Sequence, residues 1–334
     1  MAVESKYATS DSQTMQCMEV WGGNRVVDKS VSMAGLDAWV YCRPYGQSED
    51  GGDVYYVSSC ATGRITRLLV ADVSGHGAAV CDVAGQLRGL MRRFVNYLDQ
   101  TRFVASMNAQ FAANTAAGCF ATAVVTTFFG PTNHLSLCNA GHPPPLLYRA
   151  ETREWSYLQG TAAADALESA RGADADEAPT NIPLGIDDLI RYDQFDVHLK
   201  VGDLVLCYTD SLVESKGADG DLLGQEGLVK LVRTLDPSDP ATLIPRLLAA
   251  VAEQAEGNLH ADDVTVLLFQ PNGSAPRAPL REMVLAPLRI LRAAVGSLRP
   301  GGEATPWPDL SLANVGGAVF SPFNRLWRGM KRRA

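Results

Sequence analysis

From residue 37 onward, short apolar runs alternate with breaks that carry glycine and aspartate. Residues 38–43, 54–60 and 64–72 are rich in Val, Leu, Ala and Tyr, which predicts three strands joined by turns. After His76 the period changes. Val80, Val83, Ala84, Leu87, Leu90, Met91 and Phe94 recur every three or four residues, the spacing of one helix face. A second helix is expected over residues 103–113. Strand patterns return at 121–129, 134–138, 146–148, 195–199 and 204–208. Residues 225–235 and 241–256 read as helices, and 264–269 as a last strand. Strands grouped around pairs of helices imply an α+β or layered α/β domain.

The flanks are different. Residues 1–36 are weakly patterned. Residues 161–181 are rich in Ala and acids without a period and are expected to form an exposed loop. Residues 271–279 form a Pro/Gly/Ser/Ala linker. Beyond it, Val284, Leu288, Leu291, Val295 and Leu298 form one helical stripe flanked by Arg281, Arg289, Arg292 and Arg299, although Pro287 disturbs its start. Phe320, Phe323, Trp327 and Met330 then mix with Arg325, Arg328, Lys331, Arg332 and Arg333. Such basic, partly helical segments suit an anionic membrane surface or a protein partner, and residues 280–334 are the candidate for that contact.

Charge sharpens this division. Residues 271–334 carry ten Lys/Arg against three Asp/Glu, a net +7, so the total of −8 leaves −15 for residues 1–270. An acidic body argues against nucleic-acid binding and suits one that collects cations. The seven cysteines form no CxxC pair, so they are expected to be reduced thiols in a cytoplasmic protein rather than zinc ligands or disulfides. Met1–Gln16 lacks the apolar core of a secretory signal, and no run approaches the roughly 18–20 apolar residues that span a bilayer.

The candidate chemistry lies in aspartates at strand ends. Asp53 follows Gly51-Gly52, Asp72 closes one apolar run, Asp210 closes another, and Asp262-Asp263 precede the last strand. A strand-end aspartate can simply start a turn. Four such places, each attached to an apolar strand, also offer the all-oxygen ligands that hard cations such as Mg²⁺ and Mn²⁺ prefer.

Five segments in this order resemble the SpoIIE/RsbU-type branch of the metal-dependent protein phosphatases (PPM). They are Gly51-Gly52-Asp53-Val54-Tyr55, Ala71-Asp72-Val73-Ser74-Gly75-His76-Gly77, Asn139-Ala140-Gly141-His142-Pro143-Pro144, the run from Gly202 to Asp210, and Asp262-Asp263-Val264-Thr265. The resemblance covers about residues 37–270. It implies an α+β fold, a layered α-β-β-α sandwich, with residues 1–36 as an N-terminal extension and 271–334 as linker and tail. It implies a serine/threonine protein phosphatase acting on a phosphoserine or phosphothreonine protein, such as an anti-sigma-factor antagonist. The family alternative is a binding module that kept the fold and lost catalysis.

The resemblance also implies roles. Asp72 would bridge two divalent cations, Mn²⁺ or Mg²⁺. Asp53 would hold one, assisted by the Val73 carbonyl, and Asp210 with Asp262 would hold the other, Asp263 being the alternative to Asp262. Two cations ~3.5–4 Å apart activate a shared water and neutralise phosphoryl charge. His76 and His142 are candidates for the general acid, or for fixing their loops by hydrogen bonds. Two departures stand out: Tyr56 replaces an aspartate usual in the first motif, and Ser211 replaces a glycine after Asp210.

Overall fold

A computed structural model describes residues 11–14, 20–46, 48–59, 64–75, 78–95, 97, 99–115, 118–159, 181–187 and 190–274. Of the expected loop at 161–181, all but Asn181 lies outside the described residues, as do His76 and the basic tail beyond Ser274.

Two sheets stack face to face. One runs β1 (Asp11–Thr14), β3 (Val27–Met33), β4 (Leu36–Arg43), β13 (Val264–Pro271), β12 (Leu204–Tyr208), β9 (Leu146–Arg149), β10 (Glu154–Tyr157). The other runs β11 (Gln194–His198), β8 (His134–Ala140), β7 (Ala121–Phe129), β6 (Ile65–Val73), β5 (Asp50–Ser59), β2 (Val20–Arg25). Helices α1 (Ala78–Phe94) and α2 (Gln100–Asn114) cover the outer face of the six-stranded sheet; α3 (Gly224–Arg233) and α4 (Pro240–Ala252) cover the seven-stranded one. The chain is thus the α-β-β-α sandwich that its sequence implied.

Three apolar layers hold it together. Val57, Leu68, Val70, Val205 and Leu267 meet between the sheets. Leu87, Met91, Phe103 and Phe111 seal α1 and α2 onto β5–β8. Leu228, Val232, Leu243 and Leu247 do the same beneath β12 and β13. Each such side chain stabilises the fold by ~1.5–3 kcal/mol. Because β5 is covered on both faces, almost every residue in it is buried, and its apolar stretch at 54–57 shows no alternation. Asp99 starts α2 by accepting the Arg102 N–H at 3.0 Å. Among the described residues, no helix is long and apolar enough to cross a membrane.

The N-terminal region differs from its expectation. Within residues 1–36, β3 pairs antiparallel with β4, and β2 with β5. The folded unit therefore begins before residue 37. Val27, Val31 and Met33 of β3 are buried, but Asp28, Lys29, Ser30 and Ser32 break up the apolar signal. In β2, a Cβ at Gly22 would come within 2.8 Å of the Tyr55 carbonyl oxygen, so a low-propensity residue permits the close approach. Tyr56, the first departure, is a fully buried core side chain under α1. Ser211, the second, sits in a short 3-10 turn (Asp210–Leu212) and is not among the residues of positive φ, so glycine is not required there. Among the described residues, Cys42, Cys81, Cys119, Cys138 and Cys207 are free thiols.

Candidate metal centre

The strand ends predicted to carry chemistry converge where the two sheets meet. Asp53 on β5 is paired directly with Asp72 on β6. Asp210 opens the turn after β12, and Asp262 and Asp263 immediately precede β13, which runs antiparallel to β12. The Thr209 N–H donates to the Thr265 carbonyl at 3.0 Å and zips the ends of these two strands together.

Electrostatics shows how close the carboxylates are. Burial, then the charges of Asp72 and Asp263, push the Asp53 carboxyl well above its usual range. Burial, then Asp210, Asp262, Asp263 and Glu214, push Asp72 up to about 7. Burial, then Glu214 and Asp262, push Asp210 up to about 6. Among the described residues, none of these chief influences comes from Lys, Arg or His. Glu214 had no signal as a strand-end residue. It lies one turn after Asp210, and its N–H donates to the Asp210 carbonyl at 2.8 Å.

Hydrogen bonds fix the frame. The Asp263 carboxylate accepts the N–H groups of Tyr45 at 2.5 Å, Gly52 at 2.6 Å and Asp53 at 3.2 Å. Gly51 makes this possible, since a Cβ there would sit 2.7–2.8 Å from that carboxylate. Asp262 is exposed, and one of its oxygens accepts the Asp263 N–H at 2.8 Å. Asp53 is only 2% exposed, and its carboxylate accepts the Thr209 hydroxyl at 2.8 Å. The Val73 carbonyl lies beside Gly52, 3.1 Å from where a Cβ would stand.

His142 does not suit the general-acid role weighed from the sequence. It is buried, its Nε2–H donates to the Tyr208 carbonyl at 3.0 Å, and its Nδ1 accepts the Thr122 hydroxyl at 2.8 Å. Burial pushes its pKa down to about 4, partly offset by the Tyr208 bond, so the ring is neutral. Asn139 holds its backbone through two reciprocal 2.8 Å bonds. Thr122 is the β7 partner of Asp72, and Tyr208 lies two residues before Asp210. The imidazole thus ties one sheet to the other between two site aspartates.

The donor set fits hard divalent cations: the candidate ligands are carboxylates and the Val73 carbonyl, all oxygen donors. Among the described residues, no three His, Cys, Asp or Glu side chains already stand around a common metal position. A cleft of about 1070 Å³ between the β9–β10 hairpin and the α3–α4 connection, lined by Arg149, Trp155, Arg233 and Pro237, includes none of the five aspartates.

Comparison with known proteins agrees with this fold. Residues 62–272 match the family described as Stage II sporulation protein E (SpoIIE). The phosphoserine phosphatase RsbU of Bacillus subtilis is 22% identical over 210 residues, which are 61% of this chain and 55% of RsbU. The chain therefore spans little more than half the length of that relative. The crystal structure of the RsbU and RsbW domains of Rv1364c from Mycobacterium tuberculosis superposes with a TM-score of 0.57 at 25% identity, covering 82% of this chain and 72% of that one. The PP2C phosphatase domain of Bacillus subtilis SpoIIE, with a fragment of its regulatory domain, superposes at 0.56 with 16% identity, over 77% and 64% of the two chains. With the match covering more than half its length and the PPM-type sandwich in place, this chain belongs to the SpoIIE family.

Proposed function

We propose that this chain is a metal-dependent phosphatase that hydrolyses phosphoserine or phosphothreonine in a regulatory protein. One observation carries the reading: Asp53 and Asp72 stand opposite each other on β5 and β6, at the same edge that receives Asp210, Asp262 and Asp263 from the ends of β12 and β13. Asp72 is assigned the bridging position, Asp53 and the Val73 carbonyl one ion, and Asp210 with Asp262 the other. Two bound cations, Mn²⁺ or Mg²⁺, would lower the pKa of a water and neutralise charge on the phosphoryl oxygens.

The chain's own residues prepare that site. The sheets hold the aspartates on rigid backbone, and burial keeps Asp53 away from bulk water. His142 acts as a strut, leaving His76 as the candidate that could protonate the departing serine or threonine oxygen. The thiols of Cys42 and Cys138 are pushed up to about 12 by burial, so these two are poor nucleophiles. The phosphoprotein substrate class is supported by the name of RsbU and by the RsbU–RsbW pairing in the Mycobacterium tuberculosis protein.

Phosphate release from a phosphoserine protein and from p-nitrophenyl phosphate, with Mn²⁺ and with EDTA, tests the proposal. Activity should require the metal and fall to background in Asp72→Asn and Asp210→Asn. A folded wild-type protein that binds no divalent cation would instead favour a binding module that has lost catalysis.

A further inference from the structure

We infer that Thr209 and Asp263 are positioning residues for Asp53, and that they tie the two proposed metal positions to each other. This rests on the ligand assignment proposed above. Thr209 and Asp263 immediately adjoin Asp210 and Asp262, the residues assigned to one ion. Yet both reach across to Asp53, which is assigned to the other.

The geometry is specific. The Thr209 side chain is fully buried. Its hydroxyl donates to the Asp53 carboxylate at 2.8 Å while accepting the Thr265 N–H at 3.0 Å. A hydroxyl has one proton to give, and the Asp53 carboxylate at 2.8 Å is a nearer acceptor for it than the Thr265 carbonyl at 3.4 Å. Asp263 grips the same residue from its backbone side, with Gly52 N–H at 2.6 Å and Asp53 N–H at 3.2 Å. Asp53 is therefore fixed at both its main chain and its carboxylate, from the ends of β12 and β13. A carboxylate oriented by neighbouring donors enters a metal shell without losing further freedom, and loss of such partners commonly costs ~10–100-fold in metal affinity.

A turn-capping threonine and a loop-closing aspartate would contribute stability alone. The inference separates from that role by metal binding measured apart from turnover. Calorimetric titration of the full chain with MnCl₂, after checking the fold by circular dichroism in EDTA, supplies both stoichiometry and Kd. Wild type should bind two ions, and Asp210→Asn should lose one. Thr209→Val, nearly isosteric, should keep the fold and bind ~10–100-fold more weakly, and Thr209→Ser should recover most of the affinity. Asp263→Asn should keep two ions with weakened affinity, whereas Asp262→Asn should lose one.

Wild-type affinity in both Thr209→Val and Asp263→Asn overturns the inference while leaving the phosphatase reading intact. So does loss of an ion in Asp263→Asn with Asp262→Asn unaffected, because Asp263 would then be a ligand. If Thr209→Val does not fold, Asp263→Asn decides by the same criteria. A wild-type protein that binds no Mn²⁺ overturns both the inference and the reading beneath it.

Discussion

Asp53 and Asp72 occupy directly opposed positions of the antiparallel β5–β6 ladder, two acids facing each other where a sheet normally places complementary or apolar pairs. Opposed side chains in such a ladder have Cβ atoms about 4.5–5.5 Å apart, and like charges there are destabilising. The fold accepts this cost at the one edge where the acids of the second sheet also arrive.

Burial, with the mutual repulsion of the neighbouring acids second, has a measurable pH signature in the metal-free protein. Asp72 and Asp210 titrate near 7 and 6 when folded, against an ordinary value of 3.8. Between about pH 4 and 7 the folded chain holds protons that the unfolded chain has released, so stability falls as pH rises. The loss is complete above the folded values and absent below the unfolded one. In EDTA, Tm should drop between pH 5 and 7.5 by on the order of 4–8 °C, corresponding to about 2 kcal/mol after allowance for partial exposure. Saturating Mn²⁺ should remove most of this slope, because cations replace protons and binding itself stabilises by mass action. Thermal melts across pH with and without Mn²⁺ check this, and a flat metal-free profile would contradict it.

Much of this frame was legible in the sequence. The strands at 121–129 and 204–208 end where the apolar pattern ended, because central strands are continuous apolar runs bounded by polar turns. The aspartates were legible because each follows or precedes such a run. β2, β3 and β10 were not, since Gly22-Gly23, the polar residues of β3 and the short Glu154–Tyr157 segment carry too weak an alternation. The role of Thr209 could not be read either. Its partner Asp53 is 156 residues away, and the bond exists only because two sheets meet. His142 looked chemically available in a glycine turn, and only the packing of β7 against β12 shows both ring nitrogens engaged.

His142 yields a second pH prediction, of opposite sign. Replacing it with Ala leaves the Thr122 hydroxyl and the Tyr208 carbonyl without the ring, at a cost of ~1–3 kcal/mol. The folded ring is neutral down to about pH 4, whereas a free histidine protonates near 6.5. The unfolded chain therefore takes up the proton first as pH falls. The wild-type advantage over His142→Ala should be full above about pH 6.5 and shrink between 6.5 and 4. Paired melts at pH 8, 7 and 5 read this directly. An advantage that grew on acidification would mean that the ring is charged in the folded protein.

The turn that presents His142 depends on Gly141. Its φ is +67°, and a Cβ would lie 2.6 Å from two Pro183 ring carbons and 2.9 Å from the Pro183 nitrogen. Gly46 has a similar φ of +64° with nothing within 4 Å of its would-be Cβ. Gly46→Ala should cost about 1 kcal/mol from backbone strain alone. Gly141→Ala adds a clash with a rigid ring and should cost at least ~2–3 kcal/mol. Comparing the two melts isolates the packing contribution, and equal losses would show that the 181–184 segment yields freely.

The last prediction concerns Arg67, which lies on β6 five residues before Asp72 and is 2% exposed. Its guanidinium donates to Gln100 at 3.2 Å, to Thr127 at 2.7 Å and to the Tyr97 carbonyl, and it lies 4.8 Å over the Phe103 ring. These partners belong to the start of α2, the segment leading into it and strand β7, so one planar fork holds the helix pair against the sheet. Lysine keeps the charge but offers a compact ammonium that cannot reach three separated acceptors in one plane. Arg67→Lys should therefore lower stability by ~2–4 kcal/mol, because buried acceptors lose charged partners. Mn²⁺ affinity should be unchanged, since Arg67 supports the helices and not the carboxylate edge. Denaturant melts and Mn²⁺ titration on the same sample separate the two effects. A fall in metal affinity without a fall in stability would show that the α1–α2 layer positions the aspartates directly.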